Sequence, residues 1–123
     1  MTTGEARARR WLRLDAVYCA GAGLLALALV VPLGRFFDVP SPVVGAIGVG
    51  TIVWALLLLR FSQRTSWREP ARLVAAANAA VSAGVAALVA LAPAVAPRLL
   101  LAAVALEVGA FAVVQARVLR RSS

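Results

Sequence analysis

Four long apolar runs, joined by short connections rich in proline and arginine, constrain this chain more than any other feature. They cover residues 12–31, 43–59, 71–91 and 99–118. A helix needs roughly 20 residues, within a range of about 17–25, to cross the hydrocarbon of a bilayer. All four runs fall in that range, with the second at its short end. Backbone amides in lipid must be satisfied within their own segment, so each run is expected to be a helix. A water-soluble four-helix bundle would carry a polar stripe on every helix. These runs carry none. The expected fold is therefore all-α: a four-transmembrane-helix, up-down-up-down bundle forming a single integral membrane domain over residues 1–123.

Composition agrees. Of the 123 residues 63% are hydrophobic and only 15% are charged, too little polar material to coat a globule. The charges gather between the apolar runs, which is the segregation of a membrane protein.

Punctuation fits the same boundaries. Pro32 and Gly34 are expected to end the first run, and Pro40 and Pro42 to precede the second. Pro70 falls where the third helix should begin, a position that tolerates a missing N–H. Ser66 and Glu69 have the spacing of a capping box. Pro93 and Pro97 bracket the start of the last helix. The first run has a basic lead and an Ala26-x-Ala28 pattern like a signal peptide. Apolar residues continue to Val31, so an uncleaved first helix is expected.

Arginine sets the expected orientation. Arg7, Arg9, Arg10, Arg13, Arg60, Arg64, Arg68, Arg72, Arg117, Arg120 and Arg121 would gather on one side, leaving Arg35 and Arg98 on the other. The positive-inside rule then puts both termini in the cytoplasm of a bacterial plasma membrane. Trp11 and Trp67 fall at the same face, as interfacial anchors would. Arg60, Arg64, Arg68 and Arg72 are spaced by four. On one continuous helix they would share a face, each gaining about 1 kcal/mol against anionic headgroups. A net charge of +8 can also mean nucleic-acid binding. Here the arginines flank apolar runs and form no basic domain, so no nucleic-acid partner is expected.

With no histidine and one cysteine, Cys19, the chain lacks bis-histidine haem ligation, most zinc sites and any internal disulfide. No nucleophile–base pair, metal set or phosphate loop is visible. The expectation is a non-enzymatic protein with no cofactor and no metal.

A few polar residues lie within the runs, and these are the candidate sites. Counting 1.5 Å per residue from the cytoplasmic end of each run, Glu107 and Ser82 lie roughly 16 Å deep and Asn78 roughly 10 Å. Asn78 and Ser82 share a face. Glu107, Ser82 and Asn78 are thus expected to form an intramembrane polar or proton site. A carboxylate at a helix centre costs about 2.5–3.5 kcal/mol to insert, and such acids are by default functional. Asp15 and Gln115, roughly 4–5 Å deep, form a second polar set on the cytoplasmic side with Arg117, which can snorkel to the interface; Asp15 is expected to pair either with Arg117 across the bundle or with local Arg13 or water. Two functions are open: an accessory or interaction subunit that self-associates or joins a larger membrane complex, and a minimal proton-coupled transporter using Glu107.

The stretch RWLRLDAVYCAGAGLLALAL, then Trp54, VAAANAAVSA and VVQARVLRR resembles a group of small bacterial four-helix membrane proteins of unknown function. The marks of that resemblance are Asp15, Asn78 and Gln115. It implies the four-helix fold, and no activity or catalytic residue.

Overall fold

The computed structural model describes residues 2–92 and 94–121, so Pro93 and Ser123 lie outside the described residues. Among the described residues there are five helices: α1 (Thr3–Ala28), α2 (Val30–Phe37), α3 (Ser41–Ser62), α4 (Arg68–Val89) and α5 (Val95–Arg121). Four of them, all but α2, are long and apolar enough to cross a membrane. They suggest a multi-pass membrane protein.

The long helices overrun the apolar runs at most of their ends. α1 begins at Thr3, nine residues before Leu12, and α5 continues to Arg121. Arginine is a good helix former, and its long stem lets a helix persist past the apolar boundary with the charge in water. The first run does not end at Pro32. Its helix breaks at Leu29 and resumes as α2, with Pro32 in the first turn, where no intrahelical N–H is needed. α2 stops at Asp38, which adopts the left-handed conformation at φ 56° and donates its N–H to the carbonyls of Arg35 and Gly34. Pro97 likewise sits in the first turn of α5. The expected capping box does not form: Trp67 is the N-cap of α4, and no side chain caps that end.

α1 packs along α3, and α4 along α5. Glycine makes the first contact possible. A Cβ on Gly23 would stand 2.7 Å from Ile52 Cγ1 and 2.9 Å from the Gly48 carbonyl oxygen. Small residues at such sites let helix backbones approach where no hydrophobic effect drives them together. In the second pair, a Cβ on Gly109 would stand 2.9 Å from Ser82 Oγ.

The two pairs meet toward the arginine-rich end. Leu12 and Ala16 of α1 pack with Leu58 of α3 and Val74 of α4. Ala8, Trp67, Ala71 and Val118 form a second buried cluster. The outward surface is largely apolar, with Val17, Leu24, Ile47, Leu91, Val95, Leu99 and Leu106 each more than 60% exposed. Water would penalise such a surface heavily, whereas hydrocarbon would not.

Candidate functional site: polar residues between α1, α4 and α5

Three polar arrangements lie along α1, from the arginine-rich end inward. The first is built on Arg9. Its guanidinium bonds Glu5 Oε1 at 2.7 Å and donates to the carbonyl oxygens of Ser62 and Arg64, each at 2.5 Å. These carbonyls belong to the last residue of α3 and the connection after it. A guanidinium there satisfies orphan acceptors and complements the negative end of the helix dipole. Arg9 therefore ties α1 to the turn that carries the chain into α4.

The second arrangement joins three helices. Asn78 Nδ2 of α4 donates to Asp15 Oδ2 of α1 at 2.6 Å and to Gln115 Oε1 of α5 at 3.1 Å. Gln115 Nε2 donates to the same Asp15 oxygen at 3.0 Å. Cys19 Sγ, one turn along α1, donates to Asp15 Oδ1 at 3.5 Å. Asp15, Asn78 and Gln115 are all buried, with exposures of 2%, 5% and 4%. Among the described residues no fully buried side-chain nitrogen or oxygen lacks a hydrogen bond. A carboxyl group is held here by neutral donors alone. Such a closed network fixes the mutual position of three helices, because each member left unpaired would carry a desolvation cost.

The third arrangement is Glu107. It is exposed on α5, and the Tyr18 hydroxyl of α1 donates to its Oε2 at 2.5 Å. Phe111, one turn away, packs against both Tyr18 (ring centroids 5.6 Å apart) and Trp11 (6.0 Å apart, edge-on). Together with Ala110 and Val114 these side chains line an open groove of about 400 Å³ between α1 and α5. Trp11 also borders a void of about 10 Å³ beside Gln115, room for one water at most. Its indole is thus part of the wall between the groove and the buried triad.

The structure regroups the residues singled out in the sequence. Asn78 joins Asp15 and Gln115, not Glu107. Ser82 donates instead to the Ala105 carbonyl at 2.7 Å, bracing α4 on α5. Arg117 is exposed, and no ion pair joins it to Asp15. Arg60, Arg64, Arg68 and Arg72 are all exposed, but they do not share one helical face. Arg60 stands in the last turn of α3, Arg64 lies in the connection, and only Arg68 and Arg72 stand on α4. Arg64 and Arg68 lie over the rings of Phe61 and Trp67. Tyr18, the residue that reaches Glu107, was missed by sequence reasoning. Its signal was available: it lies at i+3 from Asp15 and is the only tyrosine in the chain. Among the described residues no group of three acidic, cysteine or histidine side chains could hold a metal ion.

No protein family, curated protein or solved structure matches the chain.

Proposed function

We propose that this chain is a four-span, up-down-up-down protein of the bacterial plasma membrane, with both termini cytoplasmic, acting as a non-enzymatic interaction or accessory subunit. One observation carries the proposal: Glu107 is exposed along the open groove between α1 and α5 and is not buried among the helices. Intramembrane acids face a bundle interior or a watery cavity, because lipid does not solvate them. An acid turned outward and bonded by Tyr18 calls for a covering surface from another polypeptide. The closed Asp15–Asn78–Gln115 triad supports the same reading, since it locks the chain as a scaffold that presents Glu107. The exposed Arg60, Arg64, Arg68 and Arg72 would rest on anionic headgroups at the cytoplasmic face.

The test is accessibility. In native membranes, Ala110→Cys in a Cys19→Ser background should resist a membrane-dissolved maleimide. Labelling as fast as at the outward position Val49→Cys would contradict a covered Glu107 face.

The groove favours a second reading, a minimal proton-coupled transporter using Glu107. Its volume of about 400 Å³ lies within the usual range of small-molecule sites. On that reading Glu107→Gln abolishes pH-dependent uptake into proteoliposomes and leaves the fold intact. Uptake unchanged by that substitution would remove the transporter.

A further inference from the structure

Each pair of long helices is fastened along its length, whereas the two pairs are fastened to each other at one end. Among the described residues, the hydrogen bonds, ring contacts and buried clusters that join α1 and α3 to α4 and α5 fall on residues 8–19 of α1, 54–61 of α3, 67–78 at the start of α4 and 107–119 of α5. Residues 63–67, the connection that crosses from one pair to the other, lie at the same end under the brace of Arg9. Beyond that joint run residues 20–28, 41–53, 79–89 and 95–106, about 14–20 Å of each helix. A closed four-helix bundle buries a stripe along every helix. α4 instead buries Pro70, Ala71, Val74 and Asn78, and none of residues 79–89. Over the outer lengths of the other helices the buried residues are Gly23, Val44, Gly48, Pro97 and Ala105. Contacts of Gly23, Gly48 and Ala105 stay inside a pair: Gly23 lies against Gly48 and Ile52, Gly48 against Leu27, and Ala105 accepts from Ser82. Arg98 Nε also donates to the Ala92 carbonyl at 3.0 Å, which ties the far end of α5 to the connection from α4.

We infer that the molecule is a hinge: the α1/α3 and α4/α5 pairs are two stiff arms that swing about a joint at the arginine-rich end, and the Tyr18–Glu107 hydrogen bond is the clasp at the base of the gap between them. The covalent connection, the two buried clusters and the Asp15–Asn78–Gln115 triad all coincide at the joint. Past it, lipid tails solvate an apolar helix face as well as another helix does, so no hydrophobic effect holds the arms shut. In water the same arms would close to hide Leu25, Val81 and Leu88, each at least half exposed. The hinge stands whichever functional reading above holds.

The clasp follows from position. Of the hydrogen bonds between the pairs, Tyr18 to Glu107 lies farthest from the connection, beyond Asp15 on α1 and beyond Gln115 on α5. It spans the arms through two long side chains at the edge of the open groove. A tyrosine hydroxyl can donate to a carboxylate and to a neutral acid alike, so the clasp needs no particular charge on Glu107. A rotation of about 15° at the joint, acting on an arm of about 16 Å, moves its tip by about 4 Å.

The experiment is pulsed electron–electron resonance between nitroxides on cysteine pairs, all carrying Cys19→Ser, in phosphatidylethanolamine–phosphatidylglycerol proteoliposomes. Dilution with unlabelled chain keeps the distances within one molecule. Leu25→Cys with Leu88→Cys reads the gap between the arms. Leu25→Cys with Val49→Cys reads the inside of one arm, and Leu14→Cys with Leu73→Cys reads the joint. All five positions are exposed, so a label fits at each. The gap distribution should be broader than both controls by about 4 Å, the swing of the tip. Tyr18→Phe should broaden the gap further and leave both controls unchanged. A gap distribution as narrow as the controls overturns the hinge without need of any Tyr18 variant, and so does a joint pair as broad as the gap. If Tyr18→Phe leaves the gap unchanged, or loosens the joint pair as well, Tyr18 is no clasp.

Discussion

Asp15 and Asn78 meet at 2.6 Å, and each stands seven residues beyond a member of one buried cluster, Ala8 on α1 and Ala71 on α4. Equal counts from that cluster along the two helices bring the carboxyl and the amide to one level. Gln115 closes the set from α5.

Removing the acceptor should therefore hurt more than removing one donor. Asp15→Ala removes the acceptor of one N–H from Asn78 and one from Gln115, at about 1–3 kcal/mol for each N–H left unpaired, while the Asn78–Gln115 bond remains. Asn78→Ala should cost about 0.6–1.7 kcal/mol, the range of interhelical hydrogen bonds in membranes. Asp15→Asn, which keeps an acceptor oxygen, should fall below Asp15→Ala. Unfolding in mixed micelles with rising dodecyl sulfate measures all three. Equal stability of Asp15→Ala and the parent would contradict a latch.

The register also explains what the sequence concealed. The four apolar runs led directly to the four long helices, because lipid imposes both a length and internal hydrogen bonding. α2 stayed hidden because Pro32 and Gly34 read as a stop, yet a helix tolerates proline in its first turn. The polar sites were half legible. Asp15, Asn78, Gln115 and Glu107 stand out as polar residues in apolar runs, but depth was counted from the cytoplasmic end of each run. The buried cluster that joins α1 to α4 includes Ala8, four residues before the start of its run, which shifts the register of α1 by roughly 6 Å. That brings Asp15 to the level of Asn78. Run boundaries report where lipid begins; side-chain packing decides which levels meet.

Arg9 gives a second prediction. Arg9→Ala frees the carbonyls of Ser62 and Arg64, so amide exchange across residues 63–67 should quicken while the helix centres stay protected. The loss of stability should be about 1–3 kcal/mol, as for hydrogen bonds to a charged group. Arg9→Lys should not restore protection, because an ammonium is a point charge and not a planar fork. Exchange mass spectrometry in detergent reads the outcome.

Two glycines on α1 should behave oppositely. A Cβ on Gly23 meets the Gly48 carbonyl at 2.9 Å, whereas nothing lies within 4 Å of one on Gly21. Gly23→Ala should push α1 off α3 at about 1–3 kcal/mol, the usual cost of overpacking. Gly21→Ala should be neutral or gain up to about 1 kcal/mol in helix propensity. The same micelle titration separates them, and equal losses would contradict the close approach of α1 and α3.

Orientation is open to a reporter fused after Ser123. The arginine distribution predicts cytoplasmic activity of that reporter. Periplasmic activity would invert the bundle and move Arg60, Arg64, Arg68 and Arg72 away from the anionic cytoplasmic leaflet.

Membrane residence underlies every one of these arguments, and washing native membranes with alkaline carbonate tests it most directly. Four spans embedded in hydrocarbon predict that the chain stays wholly in the pellet and enters solution only with detergent. Release into the wash would mean that the long apolar helices are covered by protein and not by lipid, contradicting the account at its base.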